Sequence, residues 1–229
     1  MTPPPGLGEL NARAAAAGLH NACGVPLRFV PPDADPLPYE ERVFLHGEVV
    51  TRPDNWHDAY NAAVWCEFPQ SKVLLNRLHV DALRAARARG DHRRGQLRDR
   101  ITQFDECGVV VTGLSVDLWD ALIAHRWREV FVDHRASVRR ARFHLFGHAS
   151  RDALRAPFPG LCGKLIRIEP ADDTPEALDG ALAARLAGVD FARRWPVIPL
   201  LGIPGITPAS EDPAYYDDER QFRPLRAAA

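Results

Sequence analysis

Five side chains between residues 57 and 79 are of types that do chemistry: His57, Asn61, Lys72, Asn76 and His79. They stand in helical sequence, where the inward face is usually apolar. His57 and Asn61 are four apart and share one face of "NWHDAYNAAVW". Lys72, Asn76 and His79 recur at i, i+4 and i+7 on one face of "SKVLLNRLHVDALRAARARG", beside the apolar stripe of Leu74, Leu75, Leu78 and Ala82. Pro69 separates the two helices, so a hairpin that turns both rows inward would make them converge. Asparagine is disfavoured inside helices. Of the five asparagines, Asn55 is explained as an N-cap, while Asn61 and Asn76 sit mid-helix and require another reason.

A second constellation joins His57 to Asp105, Glu106 and His148, with Asp152 four residues after His148. Two imidazoles and two or three carboxylates suit a divalent metal or acid–base work. Their bland alternatives are a capped helix start for Asp58 and solvated turn formers for Asp105 and Glu106. Cys162 beside Lys164 offers a weaker idea, a thiol activated by an ammonium. No phosphate-cradling glycine loop, nucleophile elbow, H-E-x-x-H pair or spaced Cys/His set occurs.

Composition narrows the class. Lys72 and Lys164 are the only lysines, so 27 of the 29 basic residues are arginine. An ammonium is compact and readily shifted by burial, whereas a guanidinium is a wide planar fork. Two positions that kept the ammonium in an arginine-biased chain are therefore candidates for holding an anionic group, together with Asn61 and Asn76. Basic and acidic residues nearly cancel, at 29 and 30, so no whole-molecule field favours nucleic acid or anionic lipid. The arginine-rich stretch 84–100 lacks aromatics to stack bases and reads as a solvated helix end and loop. Nucleic acid is not expected as a partner. No apolar stretch is long enough to span a bilayer, and the N-terminus does not suit a signal peptide. Four widely spaced cysteines argue against a disulfide framework. The expected setting is the cytoplasm.

The elements that must position these groups follow from punctuation and period. A single α+β domain over 1–229 is expected, mainly helical with a small sheet. Residues 1–37 read as an N-terminal helix from Leu7 to Ala22, a short strand and a proline-rich connector. "YEERVFLHG" reads as a helix closed by Gly47. Residues 101–111 read as a hairpin turning through Asp105 to Gly108, followed by the apolar run Val109 to Val111. Ser115 should cap one long helix, or two in line, reaching Ala141. "RFHLFGHASRDAL" reads as strand, tight turn at Gly147 and helix beginning at His148; Lys164 lies in a further strand, and 175–194 is a last helix. Residues 195–229 should run extended across the body, pinned by Trp195, Tyr215, Tyr216 and Phe222.

Several of these stretches together resemble a bacterial family known as a domain of unknown function, number 3025. They are "TRPDNWHDAYNAAVWCEFPQSKVLLNRLH", "RDRITQFDECGVVV", "FGHA", "GLCGK", "PLLGIPG" and "EDPAYYDDERQFRP". The resemblance runs from about residue 40 to the C-terminus and carries no established activity. It implies that Trp56, His57, Asp58, Asn61, Phe68, Pro69, Lys72, Asn76, Asp105, Glu106, Gly147, His148 and Lys164 match the family pattern. The sequence departs from it at Asp152, where Glu is usual, and at Cys107 and Cys162, which counts against a required thiol.

The functional expectation is a metal-assisted or general-base hydrolase. His57 and His148 would be base or ligands, Asp105 and Glu106 ligands or acid, with His57 and Asn61 directed at Asp105, Glu106 or His148. Lys72, Lys164, Asn61 and Asn76 would bind the substrate. The divalent metal stays open as a cofactor. The alternatives are a non-catalytic module binding a small anionic ligand or a partner protein, and a purely structural polar network.

Overall fold

Proline and glycine divide the chain into short elements, and the computed structural model describes them for residues 3–33, 35–91, 93 and 95–225. The helices in chain order are α1 (Leu7–Ala16), α2 (Tyr39–His46), α3 (Trp56–Glu67), α4 (Pro69–Ala88), α5 (Gln96–Cys107), α6 (Val116–Ile123), α7 (Arg135–Val138), α8 (His148–Ala153) and α9 (Pro175–Ala187). The strands are β1 (Arg28–Val30), β2 (Glu48–Val50), β3 (Gly108–Thr112), β4 (Arg142–Leu145), β5 (Cys162–Arg167) and β6 (Val197–Pro199). The fold is α+β. The chain forms two compact units, Met1–Asp105 with Pro170–Arg194, and Glu106–Glu169 with Trp195–Ala229.

In the first unit, β1 and β2 pair in parallel and their apolar residues meet α1 and α3 in a core of Leu10, Leu27, Phe29, Val43, Val49 and Trp65. Gly47 ends α2 in the left-handed region at φ 67°, where a Cβ would also strike the carbonyl oxygen of Pro26. Asn55 caps α3 by accepting from the Asp58 N–H. Pro69 is the first residue of α4, a position that suits its fixed φ and missing N–H. The start of α4 is completed from far along the chain. Asp179 of α9, itself buried, accepts from the N–H groups of Gln70 at 2.7 Å and Ser71 at 3.0 Å and from the Ser71 hydroxyl at 2.6 Å.

In the second unit, the sheet order is β4-β3-β5-β6, with β3 parallel to β5 and the outer pairs antiparallel. All five residues of β3 are buried, as a central strand covered on both faces requires. Ser115 caps α6 as expected, but the helix stops after Ile123, where His125 takes a positive φ of 58°. A π-helical turn, Glu129–Asp133, and the short α7 follow. The C-terminal stretch adds β6 and short 3-10 turns rather than one extended run, and buries Tyr216 and Phe222.

The expected hairpin at 101–111 is replaced by helix α5 running directly into β3. Ile101 and Phe104, three apart, are both fully buried and form one helix face. Neither Gly nor Pro interrupts residues 96–107, so nothing turns the chain before Gly108. Asp105 and Glu106 consequently lie in the last turn of a helix and not in a loop. Gly147 also has a different reason from a tight turn. Its φ is an ordinary −62°, and a Cβ there would come within 2.5 Å of backbone atoms of Glu106, Cys107 and Gly108.

Candidate functional site

The polar row of α4 finds its partners within the first unit. Lys72 is only 3% exposed, and its ammonium donates to Asp105 Oδ1 at 2.5 Å and to Asn61 Oδ1 at 2.9 Å. The same ammonium lies 5.2 Å from the centre of the Trp65 ring. Asn61 passes the connection on, its amide donating to the Tyr39 hydroxyl at 3.0 Å. One turn along α4, Asn76 donates to the carbonyl oxygen of Glu40 at 2.9 Å and to its carboxylate at 3.2 Å. His79 Nε2 stands 3.9 Å from that carboxylate. Asn61, Lys72, Asn76 and His79 are all buried. Tyr39 is 37% exposed, and the side chains of Glu40 and Asp105 are each 23% exposed. The group therefore has a buried, bonded base and a rim that solvent reaches.

Electrostatics separates the rim groups. Burial, reinforced by the nearby Asp105 carboxylate, pushes the Glu40 carboxyl up to about 7, although Asn76, Lys72 and Arg98 act in the other direction. Burial and the Glu40 and Asp105 carboxylates push the Tyr39 phenol up and keep it protonated. Asp105 has the opposite surroundings, being ion-paired with Lys72. Tyr39 and Glu40 are the residues that sequence reasoning missed. They open α2, where a carboxylate in the first turn looks like ordinary dipole compensation. Only tertiary packing, of α2 on α4 among others, brings Glu40 to Asn76 and Tyr39 to Asn61.

His57 is half-buried in the first turn of α3. Its neighbour Asp58 is structural, accepting from the Arg52 N–H at 2.7 Å and from the Arg52 guanidinium. Burial raises the Asp58 carboxyl, but the bonds from Arg52 outweigh this and hold it below the usual range.

The remaining candidates belong to the second unit. Glu106 ends α5 and His148 starts α8, and a carboxylate oxygen of the one lies within 4.8 Å of a ring nitrogen of the other. The close backbone approach at Gly147 is what sets this pair. Lys164 is half-buried on β5, and its charge acts on the thiols of Cys107 and Cys162. Burial pushes both thiols up, which makes them poor nucleophiles. Asp152 pairs with Arg155 at 3.0 Å.

A family model described as "Protein of unknown function (DUF3025)" matches residues 27–226. The chain belongs to that family. The match takes in every residue of the family pattern given above, from Trp56 to Lys164, and Tyr39 and Glu40 as well. Comparison with curated proteins and with solved structures gives no match. Among the described residues, no helix is long and apolar enough to cross a membrane.

Proposed function

We propose that the first unit carries an acid–base hydrolase site in which Glu40 carries the proton and Asp105 is the anionic partner. The observation that supports it is the contrast in surroundings of two partly exposed carboxyl groups. One is pushed up to about 7, and the other is ion-paired at 2.5 Å. A carboxyl group raised toward neutrality suits acid or base work, and a carboxyl group ion-paired with a buried ammonium suits a fixed, oriented partner. Lys72, Asn61 and Asn76 then position the rim. The Lys72 ammonium is directed at Asp105, Asn61 and the Trp65 face, which fits orientation of Asp105 better than direct capture of a substrate anion.

The test is a hydrolytic panel of nitrophenyl glycosides, esters and phosphate esters, assayed against pH with the parent and Glu40→Gln. The reading expects a kcat profile with a limb near pH 7 that Glu40→Gln removes, with a loss of about 100-fold or more. Activity that Glu40→Gln leaves unchanged would contradict it.

A metal-assisted reading has its own support in the second unit, where Glu106 and His148 offer two ligand atoms within 4.8 Å. A carboxylate and an imidazole suit zinc or manganese, which act as Lewis acids or lower the pKa of a bound water. Binding to the native state alone would raise the melting temperature. Titration with zinc and manganese should therefore shift the parent and not His148→Ala; no shift in the parent removes this reading. The same titration of His57→Ala reads whether that histidine contributes.

A further inference from the structure

We propose that Lys164 and the Glu106–His148 pair of the second unit form one anion site, which holds the phosphate group of a monoester between a divalent metal and the lysine ammonium. The inference rests on the metal-assisted reading above and names the group that its substrate presents.

Backbone geometry gathers the three residues. Gly108 opens β3 and is the register partner of Lys164 on the parallel strand β5, which sets their backbones about 5 Å apart. Glu106 stands two residues before Gly108, at the end of α5. From the other side, the Gly147 N–H donates to the carbonyl oxygen of Gly108 at 2.8 Å, and Gly147 comes so close to the backbone of residues 106–108 that no Cβ fits. His148 is the next residue. The side chains meet there as well. The charges of Lys164 and Glu106 both act on the Cys107 thiol, and Glu106 and His148 offer ligand atoms within 4.8 Å of each other. On β5, Gly163 and Leu165 face the core, while Cys162 and Lys164 share the other, half-exposed face.

Lys164 is also uncommitted. Lys72 is bonded to Asp105 and Asn61, and in the second unit Arg126, Arg128, Arg135, Arg139 and Arg155 each pair with a carboxylate. Among the described residues, Lys164 makes neither a hydrogen bond nor an ion pair. A half-buried charge without a counter-charge costs desolvation, which a bound anion offsets.

The charge count selects the anion. A divalent ion on Glu106 and His148 keeps one net positive charge, and Lys164 adds a second. A phosphate monoester carries about 1.5 to 2 negative charges at pH 7, which matches them. A carboxylate leaves one positive charge uncompensated, and a neutral ester uses neither. Lysine holds phosphate as a point charge beside a metal ion, whereas the arginine fork suits flat, two-pronged contacts. A compact ammonium stands here in a chain that uses arginine at 27 of 29 basic positions.

The experiment uses the full chain at pH 8 with zinc or manganese, whichever raises the melting temperature, and phenylphosphonate as a probe that cannot be hydrolysed. Benzenesulfonate is the control of similar shape with one charge fewer. Calorimetric titration of the metal-loaded parent should show phenylphosphonate binding about 10-fold or more tighter than benzenesulfonate. Lys164→Gln should lose about 10-fold or more of the phosphonate affinity, the effect of one hydrogen bond to a charged group. Its melting temperature should still rise with metal alone, which shows the variant folded with the metal pair intact. The two probes are compared on the parent, so that result does not depend on the variant. If metal shifts the parent but phosphonate binds no better than sulfonate, or binds Lys164→Gln as tightly as the parent, the anion site is overturned and the metal-assisted reading stands. No shift with either metal and no phosphonate binding overturns both. Phosphonate binding that Lys164→Gln removes but that needs no metal takes away the metal-assisted reading, and the joint site with it.

Discussion

The two lysines of this arginine-rich chain sit in contrasting surroundings. Lys72 lies in a helix interior, 3% exposed, with its ammonium bonded to a carboxylate, an amide and an aromatic face. Lys164 lies on a strand, half-buried, and its charge is felt by two half-buried thiols. Both positions resist the bias of the sequence, but only the first is enclosed by groups shaped around a compact cation. A planar guanidinium at 72 would need more width than Asp105, Asn61 and Trp65 leave. The difference teaches that rarity of a residue type marks a candidate, and that burial with defined partners is what makes the type obligatory.

The largest effect expected is at the enclosed lysine. Lys72→Ala removes one partner of a buried ion pair and should cost about 3 to 5 kcal/mol in urea denaturation. Lys72→Arg should cost about 1 to 3 kcal/mol through overpacking. If both variants unfold at the parent's midpoint, the first unit's polar group is not structurally organised around Lys72.

The next effect is a pH dependence, and its sign follows from the direction of the Glu40 shift. Glu40 is raised in the folded state to about 7 from 4.5, so between those values the unfolded chain releases a proton that the folded chain keeps. The contribution of this group is full below the unfolded pKa and is lost as pH rises toward 7, by roughly 3 kcal/mol. Tyr39, Lys72, His79, Arg98 and Asp105 are the titratable and charged groups set against it. Glu40→Gln cannot ionise and should flatten this part of the stability profile, being more stable than the parent at pH 8. Equal slopes for the two proteins between pH 5 and 7 would remove the buried-acid account of Glu40.

Much of this arrangement could be read along the chain. The i, i+4, i+7 row of Lys72, Asn76 and His79 is a local periodicity, and it holds because one helix face is one face wherever it packs. The Asn55 cap and the Gly47 stop are equally local. Glu40 was hidden because its carboxylate at the start of "YEERV" has a sufficient local explanation, and its partner Asn76 is 36 residues away. Asp179 was hidden in the same way, with its partners 108 and 109 residues distant. The 101–111 region failed for another reason. Ile101 and Phe104 fit both a helical face and an imperfect alternation, and the run of carboxylates before Gly108 favoured a turn only because turns and helix ends use the same residues.

Glycines sharpen the contrast between the units at a smaller scale. Gly147→Ala puts a methyl 2.5 Å from the backbone joining α5 to β3 and should cost about 1 to 3 kcal/mol, moving His148 away from Glu106. Gly180→Ala in α9 meets only Gln70 side-chain atoms at 3.8 Å and should stabilise by about 0.5 to 1 kcal/mol. Thermal melts of the two variants check both signs. The smallest effect belongs to the second lysine: Lys164→Arg should change stability by less than about 0.5 kcal/mol. A cost at Lys164 equal to that at Lys72 would erase the distinction drawn between them.

The central claim is that Glu40 holds its proton near neutrality at an accessible rim. The direct measurement is a carbon-13 NMR titration of the side-chain carboxyl groups from pH 3 to 9, with the Glu40 resonance assigned by its loss in Glu40→Gln. The account predicts a midpoint at about 7 for that resonance. A midpoint near the ordinary 4.5 would contradict it and take the acid–base site with it.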